Sequence, residues 1–582
     1  MKRLSILSMC LAMLLMAGCG GVPSAGSSGE TETAEASSSE ASSSEASSSE
    51  VPAAEAQIPE APASEAPSAP ASQAEEAESS ADAAEELGAV PLPLTAEPVT
   101  YSIWYCEPFG ELVDDPAEDV SVFRLLSERT GIRFEFSLVT METAKEKFQL
   151  LFAADDLTDI ITDAMEYYSG SIDDAVSEDA FLLDYSDRLE EMPHYSSVLD
   201  QYAEAKKTIT SSDTGAMAAF PEIYQDVGDV SGYMVRKDFL DATGMEVPET
   251  YEELHDLLTA IHSNTGATLE MIASGGDGLL GAGFGVNVNL DDEDLTGWYV
   301  EDGTVKLGVL EPGFRSYLEL VKQWYDEGLI YPDFVGTDRG DLSGLFDGSY
   351  AVTVKPPEIV AVAEMVIGTS MVAIPMPRET AGEALHVCGN ATSCLMDPNA
   401  WSINARAQQP ELLLSLIDYM FSEEGYYLMN YGEEGVSYHM VDGEPQFTDL
   451  VLQNPDGLEY AQAAYLYASS NRSRMPFLSD YARCFAQFTD AQWAALEVYE
   501  DDCDHSMDYP LGAVMNTEQS NQYYTVAADI CTYISENVLQ FIYGQKDMSQ
   551  WDDFVETIRS MGVDTAIEAK QAAYDDYRNS GS

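Results

Sequence analysis

From Val99 onward, apolar and polar positions recur with two different periods. "VTYSIWY", Val99–Tyr105, is a run of β-branched and aromatic residues, which predicts a strand. "SVFRLLSERTG", Ser121–Gly131, places Val122, Leu125 and Leu126 at helical spacing and ends in a glycine stop, so a helix is predicted. "IRFEFSLV", Ile132–Val139, alternates apolar and polar residues and predicts a second strand. "AKEKFQLLFAA" is helical again, and "TDIITD", Thr158–Asp163, is a short buried strand. Strand, helix, strand, helix, strand implies right-handed crossovers and a mainly parallel sheet covered by helices. Further on, Leu254, Leu257, Leu258 and Ile261 share one helical face, and Thr250 with Glu253 forms a T-x-x-E capping box at its start.

The first hundred residues follow another pattern. Lys2 and Arg3 precede an uncharged apolar segment, Leu4 to Met16. That segment is shorter than the roughly 20 residues a membrane-spanning helix needs, and it has the layout of a secretory leader. It ends in Leu15-Met16-Ala17-Gly18-Cys19, which resembles a bacterial lipobox. The resemblance implies cleavage before Cys19 and a diacylglycerol on its sulfur, so residues 1–18 are the leader and Cys19 the lipid anchor. From Gly20 to Pro98 the chain is Ser, Ala, Glu, Pro and Gly, with an "SSSEA" repeat around Ser37–Glu50, sixteen acidic residues and no Lys or Arg. Such a segment cannot bury enough apolar surface to offset its ordering entropy. Residues 19–98 are expected to be a disordered tether, reaching roughly 50 Å root-mean-square. The expected location is the extracellular face of a bacterial membrane, with membrane contact through the anchor alone.

The remaining stretch, 99–582, is too long for one simple core and suggests two lobes. The chain holds 103 acidic and 26 basic residues. Setting aside the tether's sixteen acids and the leader's two bases leaves 87 acidic against 24 basic residues, net −63. Phosphate binding needs basic surface, so a nucleic-acid partner is excluded. Cys106, Cys388, Cys394, Cys484, Cys503 and Cys531 follow the anchor; spacing leaves any disulfide connectivity open. No C-x₂-C zinc pair, H-E-x-x-H, G-x-S-x-G or P-loop occurs. The oxygen-rich "NVNLDDEDLTG", Asn287–Gly297, lacks EF-hand spacing and reads as a solvated acidic loop. No metal or cofactor is expected.

The stretch "YMVRKDFLDATGMEVPETYEELHDLLTAI", Tyr233–Ile261, resembles a segment of bacterial extracellular solute-binding proteins, family 1. Arg236, Lys237, Asp238, Leu240, Gly244, Pro248, Thr250, Tyr251, Glu253 and Leu254 carry the match; Phe239 stands where the pattern usually has Trp. "LTDIITD", "LFDGSYAVTVKPP", "QQPELLLSLIDYMFSEEGYYLMNYGEEG" and "WDDFVETIRSMGVD" resemble other family segments in the same order. The resemblance covers 99–582 and is closest to the long lipoprotein branch. It implies a two-lobed α/β fold of the type II periplasmic-binding-protein kind, with a hinge and a ligand cleft between lobes. Lobe one is expected at about 99–225 and 345–400, and lobe two at about 226–344 and 401–582. The implied function is capture of a carbohydrate, with an oligosaccharide expected, and delivery to the permease of an ABC transporter by a monomer, without catalysis.

Ligands of open α/β sheets bind beyond the carboxyl ends of strands. That rule selects Trp104, Tyr105, Asp163 and Lys355. Aromatic rings cover the apolar face of a sugar while charged or amide groups bond its hydroxyl rim. Trp298 and Trp401 are candidates for the opposing wall, Arg474, in "NRSRMP", for bonding a carboxylated sugar, and Tyr233 is a further ligand candidate. Two other classes fit the same export signals. A surface glycoside hydrolase needs two carboxylates about 5–9 Å apart, which an acidic chain readily supplies. A glycan- or peptide-binding adhesin or sensor module needs no transporter.

Overall fold

The computed structural model describes residues 87–109, 112–168, 170–225, 231–271, 278–288, 295–336, 342–387, 396–469, 473–480, 483, 485–500 and 502–579. The leader, Cys19, the tether to residue 86, Cys388, Cys394, Cys484 and residues 289–294 of the acidic loop lie outside them.

In chain order, β1 (Val99–Cys106), β2 (Ile132–Val139), β3 (Ile160–Ile161) and β4 (Ala219–Tyr224) come first. Then follow β5 (Gly232–Arg236), β6 (Thr268–Leu269), the hairpin β7 (Trp298–Glu301) and β8 (Thr304–Leu307), β9 (Tyr350–Lys355) and β10 (Met371–Ile374). Last are β11 (Met396–Ile403), the hairpin β12 (Tyr438–Val441) and β13 (Glu444–Phe447), and β14 (Leu478–Ser479). Two main sheets result: β14-β4-β11-β3-β1-β2 and β10-β5-β9-β6. Each is the centre of one lobe.

The predicted local elements form. β1 pairs with β2 in parallel over its whole length, Val99 beside Ile132 through Cys106 beside Val139. Gly131 takes the left-handed conformation that closes helix Ser121–Thr130, the role its lack of Cβ allows. The Thr250–Glu253 capping box opens helix Tyr251–Thr265, which buries Leu254, Leu257, Leu258 and Ile261. β1 is covered on both faces. Tyr101, Ile103 and Tyr105 enter one core with Phe123 and Trp401, and Trp104 and Cys106 enter another with Phe148 and Tyr167. That is why its pattern reads as continuous rather than alternating. The second sheet is sandwiched likewise, between helices Tyr251–Thr265 and Pro312–Asp326 on one side and helices Ile359–Ile367 and Asp490–Glu500 on the other. The long C-terminal helices Thr517–Ile542 and Val563–Asn579 extend this second lobe.

Two expectations are corrected. The first sheet is mixed: β11 runs antiparallel to both β3 and β4. The lobe boundaries also shift. β9, placed with lobe one by the division at 345–400, pairs with β5 and β6 in lobe two. β11 and β14, within 401–582 or at its border, return to lobe one. Strand partnership is long-range, and the local pattern of a buried strand does not say which sheet receives it.

Cys503 is disulfide-bonded, while Cys106 is a buried free thiol. None of the described helices is long and apolar enough to cross a membrane.

The tether expected over 19–98 stops short of residue 98, because the start of the described chain, from residue 87, is fastened to lobe one. Val90, Leu92 and Leu94 lie against its core, and Leu94 N–H donates to the Thr130 carbonyl at 3.0 Å. Buried His194 joins the two: Nδ1 faces Asp418 Oδ2 at 2.8 Å and Nε2 faces the Gly88 carbonyl at 3.0 Å. Both ring nitrogens meet acceptors, so the doubly protonated ring is favoured. The hydrogen bond to Asp418 raises the His194 pKa against the opposing effect of burial. A folded pKa above the unfolded one gives stability that is complete below about pH 6.5 and is lost as pH rises through the folded value. His194→Gln is therefore expected to lower the melting temperature most near pH 5.5, by about 1.5–3 kcal/mol of stability, the range for a hydrogen bond to a charged group. The deficit should shrink by pH 9, as thermal denaturation across that range will show.

Candidate functional site

Three crossings connect the sheets. They run from β4 to β5, from β10 to β11, and from β14 to helix Asp490–Glu500. Register shows that all leave or enter at one edge of each sheet. In lobe one, Met396 at the start of β11 lies beside Ile223, and Ser479 at the end of β14 beside Tyr224. In lobe two, Gly232 at the start of β5 lies beside Lys355 at the end of β9, and Ile374 at the end of β10 beside Tyr233. Tyr499, at the end of the third crossing's helix, packs so closely on β5 that a Cβ on Gly232 would sit 2.2 Å from its ring. The same three segments thus border both edges, and the carboxyl ends of β1, β3, β4, β6, β9 and β14 collect beside them.

On lobe one this edge carries a charged array. Asp163 follows β3 and is 1 % exposed. Arg474 precedes β14, and its Nη1 lies 2.7 Å from Asp397 Oδ2 and 3.3 Å from Asp163 Oδ1. Asp163 N–H donates to the Asn399 carbonyl at 3.0 Å, which ties β3 to the start of β11. Asp163 and Arg474 both hold φ near +50°, at 53° and 49°. Non-glycine residues there cost of order 1 kcal/mol or more, a strain that clusters at functional sites. The Arg474 side chain keeps 31 % of its surface open beside carboxyl groups that are 1 % and 15 % exposed, so it is the group a solute would meet.

Behind the array stand Glu222 and Arg483. Glu222 is on β4 directly opposite Asp397 and has no exposure. Arg483 reaches the Ser469 carbonyl and, at 3.4 Å, Ser479 Oγ. Burial pushes the Glu222 carboxyl up to about 8, with Arg483 opposing and Asp397 adding to the rise. Burial likewise raises Asp163, against the pull of Arg474.

On lobe two, Lys355 Nζ is 3.0 Å from Glu270 Oε1, and both side chains are sealed from solvent. Thr353 Oγ1 donates to the same carboxylate. Tyr233 is buried beside them at the start of β5. Glu358, three residues past Lys355, is raised to about 7 by burial.

The structure therefore brings Asp163 and Arg474 into contact and sets Lys355 and Tyr233 on the facing edge. It does not give the predicted tryptophans a ligand face. Trp401 packs on Phe134 inside the lobe-one core, ring centroids 6.2 Å apart. It is five residues from the edge end of β11, roughly 16 Å at about 3.3 Å per residue. Tyr105 is enclosed by Phe123 and Phe136. Trp104 lies in the other lobe-one core. Trp298 belongs to the β7–β8 hairpin, donates to the Leu295 carbonyl at 2.7 Å and packs on Tyr523. Large rings at strand ends serve the core when helices cover both faces. Glu222, Asp397, Arg483 and Glu270 were not selected from sequence. One signal was present: Glu222 is the lone acid in "AFPEIY", an otherwise apolar strand.

Away from the crossings the lobes touch again through polar groups. Glu204 accepts from Tyr577 OH and from Gly512 N–H at 3.1 Å. Asp213 accepts from Thr517 Oγ1 at 2.7 Å. Among the described residues no group of three His, Cys, Asp or Glu stands ready to hold a metal ion.

Two mixed α/β lobes, joined three times at one edge and charged along it, make up the two-lobed type II solute-binding architecture. The sequence matches the family model for bacterial extracellular solute-binding protein over residues 110–427, and the chain belongs to that family. It is 23% identical over 500 residues to the fructooligosaccharide ABC transporter substrate-binding protein FusA of Streptococcus pneumoniae, spanning 80% of this chain and 88% of that one. Among solved structures, a solute-binding protein of Bifidobacterium longum infantis, described as HMO-binding and ABC-transporter-associated, superposes with a TM-score of 0.66 at 18% identity over 83% of this chain and 99% of that one. The alginate-binding protein AlgQ2 does so with a TM-score of 0.62 at 22% identity over 83% and 99%. These likenesses are of fold.

The raised Glu222 carboxyl yields a pH prediction. A folded pKa near 8 against an ordinary 4.5 means the folded state holds the extra proton between those values. Stability is then full below about pH 4.5 and falls as pH rises through 8, by at most about 1.4 kcal/mol per unit. Glu222→Gln keeps the neutral shape and should flatten that fall between pH 5 and 8.5 in denaturant titrations. An unchanged slope would remove Glu222 as its source.

Proposed function

We propose that this chain captures an oligosaccharide outside the cell in the space between its two charged edges and delivers it to the permease of an ABC transporter. The protein acts as a monomer held to the membrane by a lipid on Cys19. The observation that carries the reading is the pairing of Asp163, Arg474 and Asp397 on one edge opposite Lys355, Glu270 and Tyr233 on the other. Both edges border the same three crossings. Arg474 is the charged group that keeps open surface on one half, and two separately folded halves linked by a narrow hinge suit a solute that is enclosed between them. Closure then follows from the solute's higher affinity for the closed form. The names of the relatives, which describe fructooligosaccharide and HMO binding in ABC transport, support the carbohydrate class. The lipobox-like "LMAGC" supports the anchor. No covalent step is required of any of these groups.

Calorimetry and thermal shift against kestose, nystose, maltotriose, xylotriose, mannotriose and galactotriose are expected to give micromolar binding for at least one. A ligand at 100 times its Kd adds about 2.7 kcal/mol of stability, readable as an upward shift in melting temperature. Scattering should show a smaller radius of gyration with that sugar. Arg474→Gln is expected to weaken binding at least tenfold while leaving the circular dichroism spectrum unchanged. Cys19→Ser should move the protein from the membrane fraction to the medium, and retention of the variant on membranes would overturn the anchor.

A further inference from the structure

The two edges offer polar partners for hydroxyl groups, but a sugar also has an apolar C–H face that calls for a flat ring. Five of the six tryptophans are enclosed: Trp104, Trp298, Trp324, Trp401 and Trp551 are at most 8 % exposed. Trp493 alone is half-buried and keeps open surface. We propose that Trp493, with Phe488 beside it, is the platform on which one ring of the bound sugar stacks. The proposal rests on the carbohydrate reading above.

Trp493 stands on helix Asp490–Glu500, at the lobe-two end of the third crossing. Its neighbours form a small apolar cluster apart from the cores of both lobes: Phe485, Phe488, Trp493 and Leu496. The indole centroid lies 6.1 Å from that of Phe485 and 5.8 Å from that of Phe488, with interplanar angles of 78° and 68°. Neither phenyl ring lies flat on the indole, so neither covers it as a parallel ring does. Packing accounts for half of the cluster. Phe485 and Leu496 are 7 % and 1 % exposed and close the contact between the crossing and its helix. Phe488 and Trp493 are each only half-buried. Apolar area that stays wet adds nothing to stability, so a brace for the crossing does not call for these two large rings.

Chain connection sets the cluster between the two edges. Arg483, two residues before Phe485, bonds the Ser469 carbonyl and, at 3.4 Å, Ser479 Oγ at the end of β14. Tyr499 is six residues past Trp493, roughly 9 Å along the helix at about 1.5 Å per residue. Its hydroxyl donates to the Lys355 carbonyl at the end of β9, at 3.4 Å. The rings thus stand a short step from the last residue of β14 on lobe one and from the last residue of β9 on lobe two. A sugar held there turns its hydroxyl rim to the charged edges and lays its C–H face on the indole.

The test uses the full-length protein and whichever sugar of the panel above binds it in calorimetry. Acrylamide quenches the tryptophans that solvent reaches, and Trp493 is the one with open surface. Saturating sugar should lower the quenching constant and shift the emission to the blue. Trp493→Phe, which keeps a ring, should bind the sugar but lose both optical changes. Trp493→Ala should weaken binding by about fivefold or more, the scale of one ring contact. The quenching measurement on the unaltered protein needs no variant and stands even where Trp493→Ala folds poorly. A sugar that binds in calorimetry yet leaves the quenching unchanged, or that binds the folded Trp493→Ala variant within about fivefold of the unaltered protein, overturns the platform and leaves the carbohydrate reading standing. Absence of binding by every sugar of the panel overturns the carbohydrate reading, and the platform with it.

Discussion

Three crossings entering at one edge constrain everything else in this molecule. Because β11 comes back from lobe two at the edge where β3 and β4 end, it has to run away from that edge. Its antiparallel place in an otherwise parallel sheet follows. Because the chain leaves lobe one at the ends of β4 and β14, those strands deliver their last residues to the same place as β3. Polar residues at the ends of separate strands are thereby gathered without any being near in sequence: Asp163, Asp397 and Arg474 span more than half the chain. Gly232 is part of this constraint, since only a residue without Cβ lets Tyr499 close over the start of β5.

A gathering of this kind is costly in an acid-rich protein, and the structure handles it in two ways. Lys355 and Glu270 are paired with each other in a sealed place. Such pairs add little net stability, because desolvation offsets attraction, yet losing one partner strands the other. Glu222 instead is held by burial in a state that keeps its proton to about pH 8. The first device fixes the geometry of lobe two's edge. The second sets a neutral carboxyl behind Arg474, which leaves that guanidinium to Asp163 and Asp397. The left-handed backbone at Asp163 and Arg474 fits this picture of side chains aimed at a point rather than settled by local preference.

Local elements were legible in the sequence because their signals are local: the alternation of Ile132–Val139, the Gly131 stop and the Thr250–Glu253 box each act within a few residues. Family membership was legible through an ordered series of such segments. Pairing was not, and β9 is the clearest case. "YAVTVK" is the same buried strand whichever sheet it joins, and only its bonds to β5 and β6 decide. The aromatic candidates failed for a related reason. A tryptophan near a strand end looks alike whether helices cover it or a groove exposes it, and here Phe134 and Phe148 belong to the cores that enclose Trp401 and Trp104. Asp163 was selected as a charge delivered by the end of a buried strand, and the structure sets it beside Arg474. Glu222 carried that same signal and was passed over.

The attachment of the chain's start gives the two lobes unequal standing. Gly88, Val90, Leu92 and Leu94 are held by His194 and the core of lobe one. Lobe two connects to it through the three crossings and through a few polar contacts such as Glu204 with Tyr577 and Asp213 with Thr517. Polar contacts at a surface contribute little each. The energetic difference between arrangements of the lobes is therefore small beside the stability of either core. A solute touching both charged edges need supply only modest binding free energy to favour the arrangement in which it is enclosed.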